Sequence, residues 1–118
     1  QHAKEMSFDQ APPGMLGLET ALSLSLEHSG LDLPEVLGLL SWQPAKIAGV
    51  DDRHGMTVER NNSANLCVID LDEKWTVSGK EMLSRSSNTP YEGWNLRGRV
   101  RHTINNGRLV VFDGESIK

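Results

Sequence analysis

The spacing of apolar residues changes once along this chain, and that change limits what it can fold into. Before residue 50, apolar side chains recur at three- and four-residue intervals, the spacing of one helix face. After residue 64 they run together or alternate, as strands do. Two turn-forming stretches lie between, Val50-Asp51-Asp52-Arg53-His54-Gly55 and Arg60-Asn61-Asn62-Ser63, and they predict an organisational boundary. The first half is therefore expected to be helical and the second half mostly strand.

Leu18, Ala21, Leu22, Leu24 and Leu26 predict a helix over 18–28, with Glu19 in its first turn facing the positive end of the helix dipole. Ser29-Gly30 stops it. Pro34 at a first-turn position and apolar residues at 33, 36, 37 and 40 predict a second short helix. Gln43 to Gly49, with Pro44 early and Gly49 at the end, predicts a third.

In the second half, Asn65 to Leu71 reads as a strand buried on both faces, Trp75-Thr76-Val77 as a short separate one, and Ser84 to Gly93 as a loop. Residues 99–112 carry the clearest signal, a hairpin turning at Asn105-Asn106-Gly107 in the same β layer as Leu66 to Leu71. Asp113-Gly114 is expected to end the last strand.

Ahead of the first helix, Ala11-Pro12-Pro13 fixes the backbone while Gly14 and Gly17 free it. The result is a stiff corner with one bare amide at Gly14. It reads as a ligand contact or as an ordinary turn into a helix.

A length of 118 residues suits one domain, and with a formal net charge of −4 and scattered basic residues nothing suggests a nucleic-acid groove. The one basic cluster is Arg97, Arg99, Arg101 and His102. The single cysteine, Cys67, lies in an apolar run; core packing, no disulfide framework and a reducing, cytoplasmic setting are expected. No apolar window is long enough to cross a bilayer, so no membrane partner is expected. The amino end QHAKEMSFDQ has no signal core and no initiator Met, and only 5% of residues are aromatic, so the chain is expected to be a piece that leans on further material.

His2, His28, His54 and His102 have no metal-site spacing. His54 beside Asp51 and Asp52 reads as a solvated turn, and His102 as a surface residue. Cys67 lacks a nearby base or helix end to make it a nucleophile. Asn88-Thr89-Pro90-Tyr91-Glu92-Gly93-Trp94 serves either a binding surface or a docking loop that buries Tyr91 and Trp94.

Taken together, the pieces resemble dihydroorotases of the bacterial long-chain type. FDQAPPGMLGLETALSLSL is similar to their A-P-x-G-x-x-G-L-E-T corner after the last barrel strand. SWQPAKIAG, SANLCVIDLD, SRSSNTPYEGWNLRGRV and a terminal x-G-R-x-V strand follow in the family's order, over essentially the whole chain.

The resemblance implies an α/β fold, a (β/α)₈ amidohydrolase barrel plus a small β domain built from both chain ends. This chain would be its C-terminal fragment. Residues 1–54 would supply the substrate-corner loop and last barrel helices, and 55–118 the C-terminal part of the small β-rich domain. The implied activity is zinc-dependent, reversible cyclisation of N-carbamoyl-L-aspartate to dihydroorotate in pyrimidine biosynthesis. Zinc ligands and the acid/base aspartate would lie upstream of residue 1, leaving no catalytic or metal residue here and an inactive fragment.

The family's substrate contacts fall on Pro13 and Gly14; Pro13 has no N–H to give, so a donor role falls to Gly14. Asn65 stands where many relatives have Asp. Asn61 stands where many have Gly, and Asn tolerates the left-handed conformation that such a turn needs. Implied partners are a small-molecule substrate, the amino-terminal part of the same enzyme, and a homodimer or transcarbamoylase assembly. Two alternatives stay open: a hydantoinase- or allantoinase-type cyclic amidase, and an inactive dihydroorotase-like scaffold subunit.

Overall fold

The computed structural model describes Ser7, Gln10 and residues 14–117. Three short helices come first, α1 (Ala21–His28), α2 (Leu33–Leu40) and α3 (Trp42–Ala48). Four strands follow, β1 (Leu66–Thr76), β2 (Asn95–Asn105), β3 (Arg108–Phe112) and β4 (Glu115–Ser116), and they form one sheet in that order. Every pairing in it is antiparallel.

α1 starts later than the apolar spacing predicts. Thr20, fully buried, donates its hydroxyl to the Gly17 carbonyl at 3.3 Å and holds the lead-in as a turn. Leu18 is left 97% exposed. Glu19 consequently precedes the helix and does not serve its dipole; its carboxylate accepts the Leu83 N–H at 3.1 Å.

α2 is capped on both sides of its first turn. Asp32 Oδ1 accepts the Glu35 N–H at 3.0 Å and Glu35 Oε2 accepts the Asp32 N–H at 3.2 Å. This reciprocal box satisfies two amides that the helix itself cannot. Pro34 sits in the first turn, as expected. Trp42 then folds its indole over α2 so closely that a Cβ on Gly38 would lie 2.9 Å from Cζ2. α3 ends at Gly49 in the left-handed conformation.

β1 is one strand of 11 residues, not two. Its partners step from Arg99 to Arg97 while β1 advances from Asp70 to Lys74, so two extra residues are absorbed. Asp70 Oδ1 makes room for them by accepting the N–H groups of Asp72 (2.9 Å) and Glu73 (3.1 Å). The strand is not buried on both faces: Cys67, Val68 and Leu71 are exposed. The short helices cover only part of the sheet, and among the described residues the buried apolar side chains are Val36, Ala45, Val77 and Leu96.

α1 docks on β2 through a buried hydroxyl that the apolar pattern did not reveal. Ser23 Oγ donates to the Gly98 carbonyl at 2.5 Å and accepts the Trp75 indole N–H at 3.1 Å. Gly98 adopts a φ of +90°, and a Cβ there would meet Leu26 Cδ1 at 2.7 Å. Only glycine combines that backbone with that approach.

The hairpin turns where its sequence predicts. Asn106 and Gly107 both have positive φ, as a two-residue turn between paired Asn105 and Arg108 requires. Asp113-Gly114 does not end the sheet. Both adopt positive φ and make a second turn, which returns Glu115–Ser116 against Phe112 and Val111. Asn61 has a φ of 73°, the left-handed conformation anticipated for it.

Candidate functional site

Gly14 opens the described part of the corner. Its φ is +77°, it is exposed, and no described heavy atom lies within 4 Å of where its Cβ would stand. The backbone there is accessible without an intervening side chain. Pro13, the other expected contact, lies outside the described residues.

The lead-in from Gly14 to Glu19 is held at three points by one distant loop. Asn88 Nδ2 donates to the Gly14 carbonyl at 2.8 Å, and the Asn88 carbonyl accepts the Leu16 N–H at 2.9 Å. The third point is the Glu19 carboxylate on the Leu83 N–H. A primary amide beside its own carbonyl can both donate to and accept from a passing strand.

The loop that carries Asn88 is itself pinned to the end of the sheet. Val77 donates to the Trp94 carbonyl and accepts the Gly93 N–H, both at 2.8 Å, which closes the loop at its base. Across its middle, Glu92 Oε2 accepts the Gly79 N–H at 2.7 Å. Gly79 has no room for a side chain, since a Cβ would lie 2.3 Å from the Ser87 carbonyl oxygen. Tyr91 meets Trp94 edge-to-face with centroids 5.3 Å apart, and Trp94 also meets the His28 ring at 5.9 Å. The loop docks within the chain, but it does not bury both rings as the docking reading expects. Burial is partial, with Tyr91 half-buried and Trp94 45% exposed.

The basic cluster on β2 is matched by acids. Arg97 faces Asp72 (3.7 Å), Arg99 and Arg101 share Glu73 (3.4 and 2.9 Å), and Arg101 also pairs with Asp113. His102 is half-buried, not fully at the surface: its Nδ1 accepts the Asp113 N–H at 3.1 Å and its ring lies against Phe112. His54 is exposed in its turn.

An open, mainly apolar groove of about 640 Å³ runs between α3 and the sheet, lined among others by Pro44, Ala48, Leu66, Cys67 and Ile104. Cys67 is therefore not a core residue. Its side chain is open to solvent on one side, yet the groove walls desolvate the sulfur enough to raise the thiol pKa. Among the described residues no three His, Cys, Asp or Glu stand together as metal ligands. No described helix is long and apolar enough to cross a membrane.

Sequence reasoning singled out Gly14 and, separately, the run that begins at Asn88, but did not link the two. Asn88 and Gly14 are 74 positions apart, so no local periodicity links them. The usable signal was the Asn of the Asn-Thr-Pro run, an amide just ahead of a rigid proline.

No protein-family model matches the chain. It is 44% identical over 119 residues to a protein named dihydroorotase from Mycobacterium leprae, an alignment covering 93% of this chain and 26% of that protein. A dihydroorotase from Geobacter metallireducens is 37% identical over 110 residues, covering 91% of this chain and 25% of the relative. The chain thus spans about a quarter of the length of the curated relatives it matches. Among solved structures, a D-hydantoinase (dihydropyrimidinase) from Thermus sp. superposes with a TM-score of 0.82 at 25% identity, over 94% of this chain and 25% of that one. An L-hydantoinase (dihydropyrimidinase) from Arthrobacter aurescens gives 0.79 at 26% identity, over 92% of this chain and 25% of its own.

Proposed function

We propose that this chain is the carboxyl-terminal part of a dihydroorotase, a cyclic-amide hydrolase that interconverts N-carbamoyl-L-aspartate and dihydroorotate in de novo pyrimidine biosynthesis. The observation that carries the reading is the identity of 37–44% to proteins of that name across more than nine-tenths of this chain. The two hydantoinase structures share the fold at 25–26% identity. They keep a hydantoinase-type cyclic amidase as the second reading.

In this assignment residues 1–54 bring the substrate corner and the last helices of a (β/α)₈ barrel, and 55–118 bring the C-terminal part of a small β-rich domain. All described strands pair antiparallel, so the barrel strands would come from chain outside these residues. The described residues do not form a zinc site. Zinc, which would supply the polarising and water-activating chemistry, is assigned to residues upstream.

What this chain contributes is positioning. Gly14 presents backbone that a substrate carboxylate can approach closely, and its own carbonyl is tied back to Asn88, away from that role. Pro13 is assigned a shaping role, since it has no N–H. The proposed setting is cytoplasmic, with the amino-terminal part of the enzyme as the obligatory partner.

The test is to assay the longer enzyme that carries this chain, zinc-loaded, on dihydroorotate, hydantoin and allantoin. Turnover of dihydroorotate well above the other two is expected. Preference for hydantoin would transfer the assignment to the second reading, and no turnover of any would favour an inactive scaffold subunit.

A further inference from the structure

We infer that Asn88 is a positioning residue for the substrate corner, setting the direction in which the Gly14 backbone faces its ligand. The inference rests on the functional reading above for the identity of that ligand. The anchoring itself stands on geometry alone.

Asn88 holds the corner at both ends of a three-residue span. Its side-chain amide binds the Gly14 carbonyl and its main-chain carbonyl binds the Leu16 N–H. The first bond orients the peptide between Gly14 and Met15 and the second the peptide between Met15 and Leu16, so the chain leaving Gly14, which has positive φ and no side chain to restrain it, is held at two successive peptide units. Asn88 is in turn fixed from behind. Its N–H donates to Ser86 Oγ at 3.2 Å, and the loop around it is closed at its base by the Val77, Gly93 and Trp94 bonds.

The loop is thus a rigid bracket between the end of the sheet and the corner. A 1 Å displacement of a substrate-binding amide is enough to weaken binding or catalysis severely. The Gly14 carbonyl is exposed, so water can replace the Asn88 donor once it is removed. Loss of Asn88 should therefore loosen the corner without unfolding the protein.

The experiment compares Asn88→Ala and Asn88→Asp with the parent in the longer enzyme. Kinetics on dihydroorotate are read beside backbone hydrogen exchange. The aspartate keeps the shape but has no N–H to donate, so it should behave like the alanine. Expected are a KM raised about tenfold, kcat within about twofold of the parent, faster exchange confined to residues 14–16, and an unchanged Tm. Asp32→Ala, which removes the α2 cap, should lower Tm and leave KM alone; it controls for general loss of stability.

Parent-like KM in Asn88→Asp, or unchanged exchange at 14–16 in both variants, overturns the inference. If the parent turns over hydantoin and not dihydroorotate, the functional reading falls and the same KM comparison is made with hydantoin. If it turns over neither, exchange at 14–16 decides the anchoring by itself.

Discussion

At the scale of single residues, much of the chain's cross-linking depends on side chains that donate and accept at once. Asn65 is the clearest case: Oδ1 accepts the Asn106 N–H at 2.7 Å while Nδ2 donates to the Arg53 carbonyl, also at 2.7 Å. Aspartate at this position keeps the first bond and turns an oxygen toward the Arg53 carbonyl in place of the second. Asn65→Asp should cost about 1 kcal/mol near neutral pH. The deficit should shrink as pH falls through the carboxylate range, about 4, because a protonated carboxyl regains a donor. Thermal unfolding of both forms across that range checks it; a deficit independent of pH would sink the account. Cys67 gives a second pH test. Its pKa is raised by desolvation, so the folded chain holds the thiol proton more tightly than the unfolded chain. Stability is unaffected below the unfolded thiol's pKa, about 8.5, and declines as pH rises from there through the folded value. Alkylation of Cys67 at pH 7.5 should therefore be slower in the folded chain than in urea, although the residue is exposed. Gly14→Val, which places a branched side chain on a φ of +77°, should raise KM for the proposed substrate about tenfold in the longer enzyme.

At the scale of elements, legibility tracked how local the deciding interactions were. The hairpin was readable because Asn-Asn-Gly supplies the positive φ values its turn needs, and α3 because Gly49 ends it in a left-handed cap. Local chemistry also explains α2, where Asp32 and Glu35 cap each other three residues apart. Asp32→Ala should cost about 1 kcal/mol, seen as earlier loss of helical signal on heating. The misreadings have tertiary causes. β1 is continuous because Asp70 folds its carboxylate onto two following amides, which alternation does not encode. Cys67 is exposed because the helices that pack on the sheet stop short of it, and Ser23 is buried because β2 offers it the carbonyl of a glycine 75 positions away. The candidate site divides the same way. Gly14 and the Asn88 run each stood out by their neighbours in sequence, whereas the bond between them could be recognised only once the loop from 77 to 94 was folded back onto the corner.

At the scale of the whole molecule, the chain is too extended and too thinly packed to account for its own apolar content. Its radius of gyration is 16.2 Å, against about 13.5 Å for a compact domain of this length. Leu18, Ile47, Val58 and Leu83 are each more than 70% exposed, and the groove beside α3 is lined mainly by apolar residues. Exposed apolar surface of this kind favours association in water. The 118-residue chain alone should therefore sediment above its 13.0 kDa monomer mass and bind an apolar dye. If the proposed assignment is right, adding the amino-terminal part of the enzyme should abolish both behaviours, because the two pieces would cover each other's apolar faces. On that assignment activity should appear only in the mixture, since the zinc ligands are proposed to lie in the amino-terminal part. A monodisperse monomer that binds no dye and ignores the added piece would mean that this surface is stable in water as it stands, and the assignment to a larger enzyme would lose its physical motive.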